Sequence, residues 1–445
     1  MKKIEQQYID FFNEQKSLLF ANSDSISNSF REEAFADFCQ LGFPTKNTEL
    51  YRFSEIDKSF DHDFGINLNR LSQNTNLSHF NCEVPNVSKY TFYVENDIFV
   101  NPQPEVKLPE GVIVCSLREA ATKHPELVSA HLCQLVDTKK DGVLAFNLAF
   151  AQDGFFIYIP KNLAIEEPIQ IINIMNGNVD YMANSHNLVV LEQGAQAQLV
   201  VCDHSIGEHR YLANRITEVF VNENAVYDHY KIESNSKNTT NISTLLVNQK
   251  ANSSTVANVI TLHGGTTRNN IKIDLTEKNA QTTLCGMAIE NNEQKVDNYT
   301  FINHQSGETS SKELFKYILD NNAKGGFLGR VLVQKDAQKI EAYQTNRNLC
   351  LTSSAHIQTK PQLEIYADDV KCSHGATVGQ LDEAALFYLR ARGIAEKEAK
   401  LLLMSAFVSD VIEHIRIPSL KDRIKILVEN TLKGQQKNCH GCKIC

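Results

Sequence analysis

The middle of the chain repeats itself, and this limits its fold more than any other feature does. Between about residues 140 and 370, runs rich in Val, Ile, Thr and Leu alternate with polar, Asn-rich breaks that resemble one another. The breaks are Glu192-Gln-Gly-Ala195, Asn222-Glu-Asn-Ala225, Gln249-Lys-Ala251, Glu277-Lys-Asn-Ala280 and Lys335-Asp-Ala337. The first four fall roughly 26 to 30 residues apart, and the fifth about two such periods further on, which is solenoid spacing. Each turn would hold two or three short strands bent by polar corners, with neighbouring turns completing one another's core. A parallel β-helix is the reading this favours. A β-sandwich is the alternative, because it also spaces short strands regularly.

The flanks follow a helical period. Ile4, Tyr8, Phe11 and Phe12 form one apolar stripe, and Phe30, Ala34, Phe38 and Leu41 a second. Gly42-Phe43-Pro44-Thr45 stops the second helix. Short strands are expected at Tyr90–Val94 and Val112–Cys115, then a helix over Leu117–Leu135. Beyond Gly379 the pattern predicts a helix over Asp382–Arg392, ended by Gly393. A second covers Glu396–Ile415, with Leu402, Ala406, Phe407, Val411 and Ile415 on one face, and Pro418 breaks it. A third runs from about Leu420 to Leu432. The expected class is mainly β with helical ends. Residues 1–139 form an N-terminal helical and mixed domain, 140–378 the parallel β-helix, 379–433 a helical C-terminal domain and 434–445 a Cys-rich flexible tail.

A chain of 445 residues exceeds one ordinary core, as this division requires. Its net charge of −9 and pI near 5.9 argue against nucleic acid or an anionic membrane as partner. No apolar run reaches about 18 residues and the N-terminus does not read as a signal peptide, so a cytoplasmic protein is expected. In that reducing setting the 11 cysteines, odd in number and scattered from Cys39 to Cys445, are thiols rather than a disulfide framework. Gly325-Gly326 is not followed by the Lys-Ser/Thr of a phosphate-binding loop, so no nucleotide is expected on this chain. No nucleophile elbow accompanies His263-Gly264-Gly265, which reads as a glycine turn.

Metal chemistry remains. Cys372 and His374 stand two apart, so on a strand both project to one face. Thiol and imidazole suit iron and zinc, yet two ligands are half of what either ion takes, and the rest must come from elsewhere in the chain or from a second subunit. The bland alternative packs Cys372 inside and lets His374 cap the turn, with Asp368 and Asp369 as edge charges. Cys350 reads as a buried core cysteine in a strand. The tail brings Cys439, His440, Cys442 and Cys445 within seven residues, a set able to wrap a tetrahedral ion. It is either an unstructured tail or an auxiliary thiol arm for iron, zinc or sulfur.

The segment from Tyr366 to Ile394 resembles the C-terminal signature of the SufD-type scaffold subunits of the SUF iron–sulfur cluster assembly machinery. Gly42-Phe43-Pro44-Thr45-Lys46 with Glu49, Tyr51, Arg52 and Phe53 is similar to that family's N-terminal motif, Tyr51 standing where the family usually has tryptophan. Phe146-Asn147-Leu148-Ala149 with Asp153-Gly154 and Pro160 resembles the entry to its central domain, and Arg347-Asn348-Leu349 the strand ahead of its signature. The resemblance implies a right-handed parallel β-helix between helical domains. It implies a non-catalytic scaffold that pairs with a SufB-type subunit and docks a soluble SufC-type ABC ATPase through its C-terminal helices; a homodimer in the partner's absence is an alternative the sequence leaves open. A transient iron–sulfur cluster is then shared at the scaffold interface, with His374 as ligand or organiser and Cys372 beside it. Cys350 falls near the place where SufB-type chains carry their own cluster cysteine. The rival readings are a β-helix polysaccharide lyase or hydrolase, which needs clustered carboxylates, and a purely structural solenoid.

Overall fold

The computed structural model of the chain describes residues 3–70, 87–101 and 105–434. Two ten-stranded sheets enclose a common core. The first runs Ile113–Ser116, Phe155–Ile159, Tyr181–Leu191, Tyr211–Val221, Thr239–Gln249, Thr266–Leu275, Lys295–His304, Lys324–Val333, His356–Ile365, with Gly65–Ile66 beside Tyr181–Leu191. The second runs Ile98–Val100, Tyr90–Glu95, Ile169–Met175, Gln196–Ser205, Val226–Ser234, Ser254–His263, Gln281–Glu290, Ser310–Leu319, Ile340–Cys350, Val370–Gly379. From Tyr181 onward, consecutive strands alternate between the sheets, and each pairs in parallel with the strand one turn away. This is a β-solenoid of about seven turns with two strands per turn. A sandwich of hairpins is excluded. Thr240 pairs with Thr266 and Phe156 with Leu188, so a turn consumes from 26 to 32 residues.

The repeated breaks are the corners. Asn162, Gly194, Asn224, Asn252, Asn279 and Glu308 take left-handed backbone with φ between 57° and 71°, once per turn. Asparagine tolerates that conformation better than most residues. The corners also hydrogen-bond to one another: Asn224 N–H donates to the Ala251 carbonyl at 2.9 Å, and Asn279 Nδ2 to Asn252 Oδ1 at 3.0 Å. At Gly194, with φ of 71°, a Cβ would lie 2.4 Å from Asn162 Oδ1, so a side chain there would have to displace Asn162. The alanines that close the breaks, Ala195, Ala225, Ala280 and Ala337, turn inward and are fully buried.

Alternation along each strand sends one set of side chains inward and the other outward. Val189, Val219, Val247, Ile273 and Ile302 fill the inside from the first sheet, and Leu199, Tyr227, Val259 and Leu284 from the second. Both outer faces are covered. The N-terminal helices Lys3–Ala21 and Ser25–Leu41 pack an aromatic cluster over Met182, Leu212 and Ile242. Phe146 lies 5.0 Å from Tyr8 and 5.2 Å from Phe38, both edge-on. The C-terminal helices cover Ile260, Cys285, Met287 and Ile318 of the second sheet. Burial of a large apolar side chain contributes ~1.5–3 kcal/mol, so such patches hold the flanking helices down.

Several expectations are corrected. The stretch Leu117–Leu135 forms two short helices, Leu117–Lys123 and Pro125–His131, because Pro125 has no N–H and its ring starts a new helix. Residues Gly142–Phe150 form a helix inside the stretch that read as strands; all nine residues are buried, which leaves no amphipathic period to detect. Leu41 is exposed rather than part of the buried stripe. In helix Glu396–Glu413 the face against the solenoid is Met404, Val408, Val411 and Ile412, while Leu402 and Ala406 point to solvent.

Candidate functional site

Cys372 and His374 lie on Val370–Gly379, the final strand of the second sheet. Its one partner among the described residues is Ile340–Cys350, so its other edge is open. Cys372 sits opposite Ala342 and His374 opposite Gln344. Ala342 belongs to the interior, so both candidate ligands stand on the inward face of the last coil, where no further coil covers them. Cys372 is half-buried against the core, and burial pushes its thiol up. His374 is exposed.

A polar column continues inward beneath His374. Gln344 is opposite Glu313 in the next strand, and its Nε2 donates to Glu313 Oε2 at 2.6 Å. Glu313 is buried, and that burial raises its carboxyl from 4.5 to about 7, so it titrates near neutrality. Gln344 and Glu313 carry no motif and drew no attention in the sequence. The period-two register that puts His374 above them is the signal that finds them.

Cys350 is half-buried at the far end of its strand, opposite Leu319, and burial pushes its thiol up as well. Six residues separate it from Gln344, a distance of about 20 Å along a strand, so within one chain it does not meet His374. Asp369 is corner structure: its carbonyl accepts the Lys339 N–H at 2.6 Å, and its N–H donates to Gln338 Oε1 at 2.8 Å. Cys439, Cys442 and Cys445 lie outside the described residues.

The apolar surface around the open end is unusual. Tyr343, Ile365, Tyr366 and Val378 on the last coils are exposed, as are Phe387 and Tyr388 on helix Glu383–Ala391. That helix is capped by Asp382, whose Oδ1 accepts the Ala384 N–H at 2.8 Å and the Ala385 N–H at 3.1 Å, and it has no buried residue. Below it the helices are clamped to the solenoid. Lys316 Nζ reaches the Phe407 carbonyl and Asp410 Oδ2, each at 2.6 Å, and Arg416 Nη1 reaches Asp228 Oδ1 at 3.0 Å.

A second group of chemistry-bearing side chains is on the outer face of the first sheet. Cys133, His186 and Glu218 bring sulfur, nitrogen and oxygen within 4.8 Å of one another. They are 53 and 32 residues apart in sequence, with no local motif to announce them.

Comparison with known proteins matches residues 173–407 to the SufBD core domain of the SUF system for FeS cluster assembly, and residues 2–171 to the SufBD protein N-terminal region. The chain belongs to the SufBD family. An iron–sulfur cluster assembly SufBD family protein of Synechocystis is 29% identical over 429 residues, 92% of each chain. The iron–sulfur cluster assembly protein SufD of Escherichia coli is 30% identical over 292 residues, 64% of this chain and 68% of that one. SufD of Bacillus subtilis is 27% identical over 362 residues, 77% of this chain and 79% of its own. This SufBD membership displaces the polysaccharide-lyase reading. Among the described residues no helix is long and apolar enough to cross a membrane.

The SufBD motifs gain physical reasons from the fold. Tyr51 donates to Asp141 Oδ2 at 2.7 Å and stacks under the buried Arg268 guanidinium at 4.6 Å. Asn147 Nδ2 donates to the carbonyls of Ser185 at 3.2 Å and Asn214 at 2.7 Å, tying the buried helix to two adjacent strands. At Gly154 a Cβ would stand 1.9 Å from the His186 carbonyl oxygen. These residues join the N-terminal region to the solenoid.

Proposed function

We propose that this SufBD protein is a non-catalytic scaffold on which iron and sulfide, its cargo, are combined at an interface with a SufB-type partner. The observation that carries this is the pair of donors, Cys372 and His374, standing on the inward face of a coil that has no successor among the described residues. A thiol and an imidazole there are half a coordination set, and a second chain docking on the open edge would supply the remainder. The exposed Tyr366 and Val378 give that docking an apolar component. A second copy of this chain would use the same edge when the partner is absent.

The C-terminal helices are the proposed seat of a soluble ABC-type ATPase. Helix Glu383–Ala391 presents Phe387 and Tyr388 to solvent, which supports a helix-in-groove contact. Hydrolysis in that partner would rearrange the scaffold interface and expose thiols for capture of iron and sulfide, with His374 completing the coordination. Cys350 and the thiols of Cys439, Cys442 and Cys445 have secondary places in this reading, as a core thiol and an auxiliary arm.

The test is anaerobic affinity purification of the tagged chain from its own host, with partners identified by mass spectrometry. Recovery of a soluble ABC-type ATPase and a paralogous solenoid is expected. A chain recovered alone and monomeric would overturn the scaffold reading. Cluster assembly in cells that survives His374→Ala unchanged would overturn the site assignment and leave a structural solenoid.

A further inference from the structure

The cluster at Cys133 is built in a way its structural duties do not explain. Glu218 Oε1 accepts the Cys133 N–H at 2.6 Å, Glu218 Oε2 accepts the Leu135 N–H at 2.7 Å, and His186 Nε2 lies 2.8 Å from Oε1. The carboxylate therefore pins the loop after helix Pro125–His131 to the solenoid wall. That task uses two backbone amides and one carboxylate. It needs neither a thiol nor an imidazole.

Position 133 makes the point sharper. Cys133 has φ of 60°, and at most other left-handed positions this chain uses Asn or Gly, as at Asn224, Asn252, Asn279 and Gly194. Holding a cysteine there costs of order 1 kcal/mol more than glycine would. The conformation turns Sγ toward His186, with the sulfur 4.0 Å from Nδ1. That is long for an S–H hydrogen bond. It is close to the separation of about 3.5 Å that sulfur and nitrogen adopt on one tetrahedral ion, given bond lengths of about 2.3 and 2.0–2.1 Å. With Nε2 held by Glu218, Nδ1 is the nitrogen left to face the thiol. This is the arrangement of a metal-binding histidine whose other nitrogen is oriented by a carboxylate.

We infer that Cys133 Sγ and His186 Nδ1, with Glu218 orienting the imidazole and solvent completing the coordination, form a site for a borderline divalent cation of the Zn²⁺ class, independent of the assembly site at His374. Sulfur and nitrogen together select such an ion over Ca²⁺ or Mg²⁺, which take oxygen alone. His186 and Glu218 are buried and Cys133 is partly exposed, so the ion enters beside the sulfur. Binding exchanges the Cys133 S–H bond for a metal–sulfur bond and releases the proton to solvent. Six rungs of the first sheet separate strand Tyr181–Leu191 from His356–Ile365 at the open end, about 29 Å along the axis. An ion at Cys133 would fasten the loop after Pro125–His131 to strand Tyr181–Leu191, beside the Glu218 hydrogen bonds that already hold it to the next strand, and so lock the N-terminal region to the solenoid.

The experiment uses the full chain with Cys372, Cys439, Cys442 and Cys445 changed to serine and His374 to alanine, which silences the competing ligands. Anaerobic titration with Co²⁺ is expected to give one bound equivalent with a thiolate-to-cobalt charge-transfer band, displaced by Zn²⁺. Cys133→Ser is expected to abolish the band, and His186→Ala to weaken binding at least about 10-fold. Should either variant fail to fold by circular dichroism, X-ray absorption of the Zn²⁺-loaded background chain decides, with a sulfur scatterer near 2.3 Å expected. A folded Cys133→Ser chain that keeps the band, or a spectrum with only nitrogen and oxygen neighbours, overturns the site.

Discussion

Glu313 is where the candidate site and the stability of the solenoid meet, and replacing it by glutamine should stabilise the protein. Burial raises its carboxyl from 4.5 to about 7, while in the unfolded chain it returns to the ordinary value. Between those values the folded state binds a proton that the unfolded state has released. Stability therefore falls as pH rises through this window, and is independent of this group below it and above it. The gap corresponds to about 3 kcal/mol lost above pH 7. Glu313→Gln removes the titration and keeps an oxygen for Gln344 Nε2, which now donates at 2.6 Å. A gain of about 3 kcal/mol is expected at pH 8, shrinking toward zero near pH 4.5. Urea unfolding of both chains at fixed ionic strength across this range measures it. A variant no more stable than the parent at pH 8, or a difference independent of pH, would refute the reasoning.

Other outcomes follow from the same geometry. His374→Ala removes an exposed side chain, so its thermal midpoint should match the parent's while cluster assembly in cells fails; a falling midpoint would make the histidine structural. Gly154→Ala forces a Cβ to within 1.9 Å of the His186 carbonyl and should cost roughly 3 kcal/mol, read as lost soluble yield at 37 °C. Val408→Ala, beneath the C-terminal helices, should cost about 2 kcal/mol and speed proteolysis after Gly379. Phe387→Ala, on the outer helix, should leave stability unchanged and reduce retention of the ATPase in affinity purification.

The solenoid was legible because its corners repeat. Each turn needs a left-handed residue and a small inward one, and Gly194-Ala195 and Asn224-Ala225 write that demand into the sequence at one-turn spacing. Period-two spacing likewise foretold that Cys372 and His374 share a face. Helix Gly142–Phe150 escaped because complete burial erases amphipathic contrast. The buried face of Glu396–Glu413 was misplaced because Leu402 and Met404 are equally apolar in sequence, and only the solenoid wall distinguishes them. Cys133, His186 and Glu218 were invisible for a different reason. Their proximity is made by a loop folding back on two neighbouring strands, a long-range fact no local spacing encodes.

The clamps under the C-terminal helices have a mechanical consequence. Arg416 and Lys316 grip strands Val226–Ser234 and Ser310–Leu319, so the helices are bolted to the same hydrogen-bonded rod that ends in the open coil. Parallel rungs resist shear, and a push on the helices tilts the rod instead of bending it. The final strand lies two rungs past Lys316, a lever arm of about 10 Å. A tilt of roughly 10° then swings His374 by about 2 Å, on the order of a metal–ligand bond. Leverage of that size would let nucleotide-driven motion in one subunit make or break coordination at the tip of another, with no change inside the coil stack.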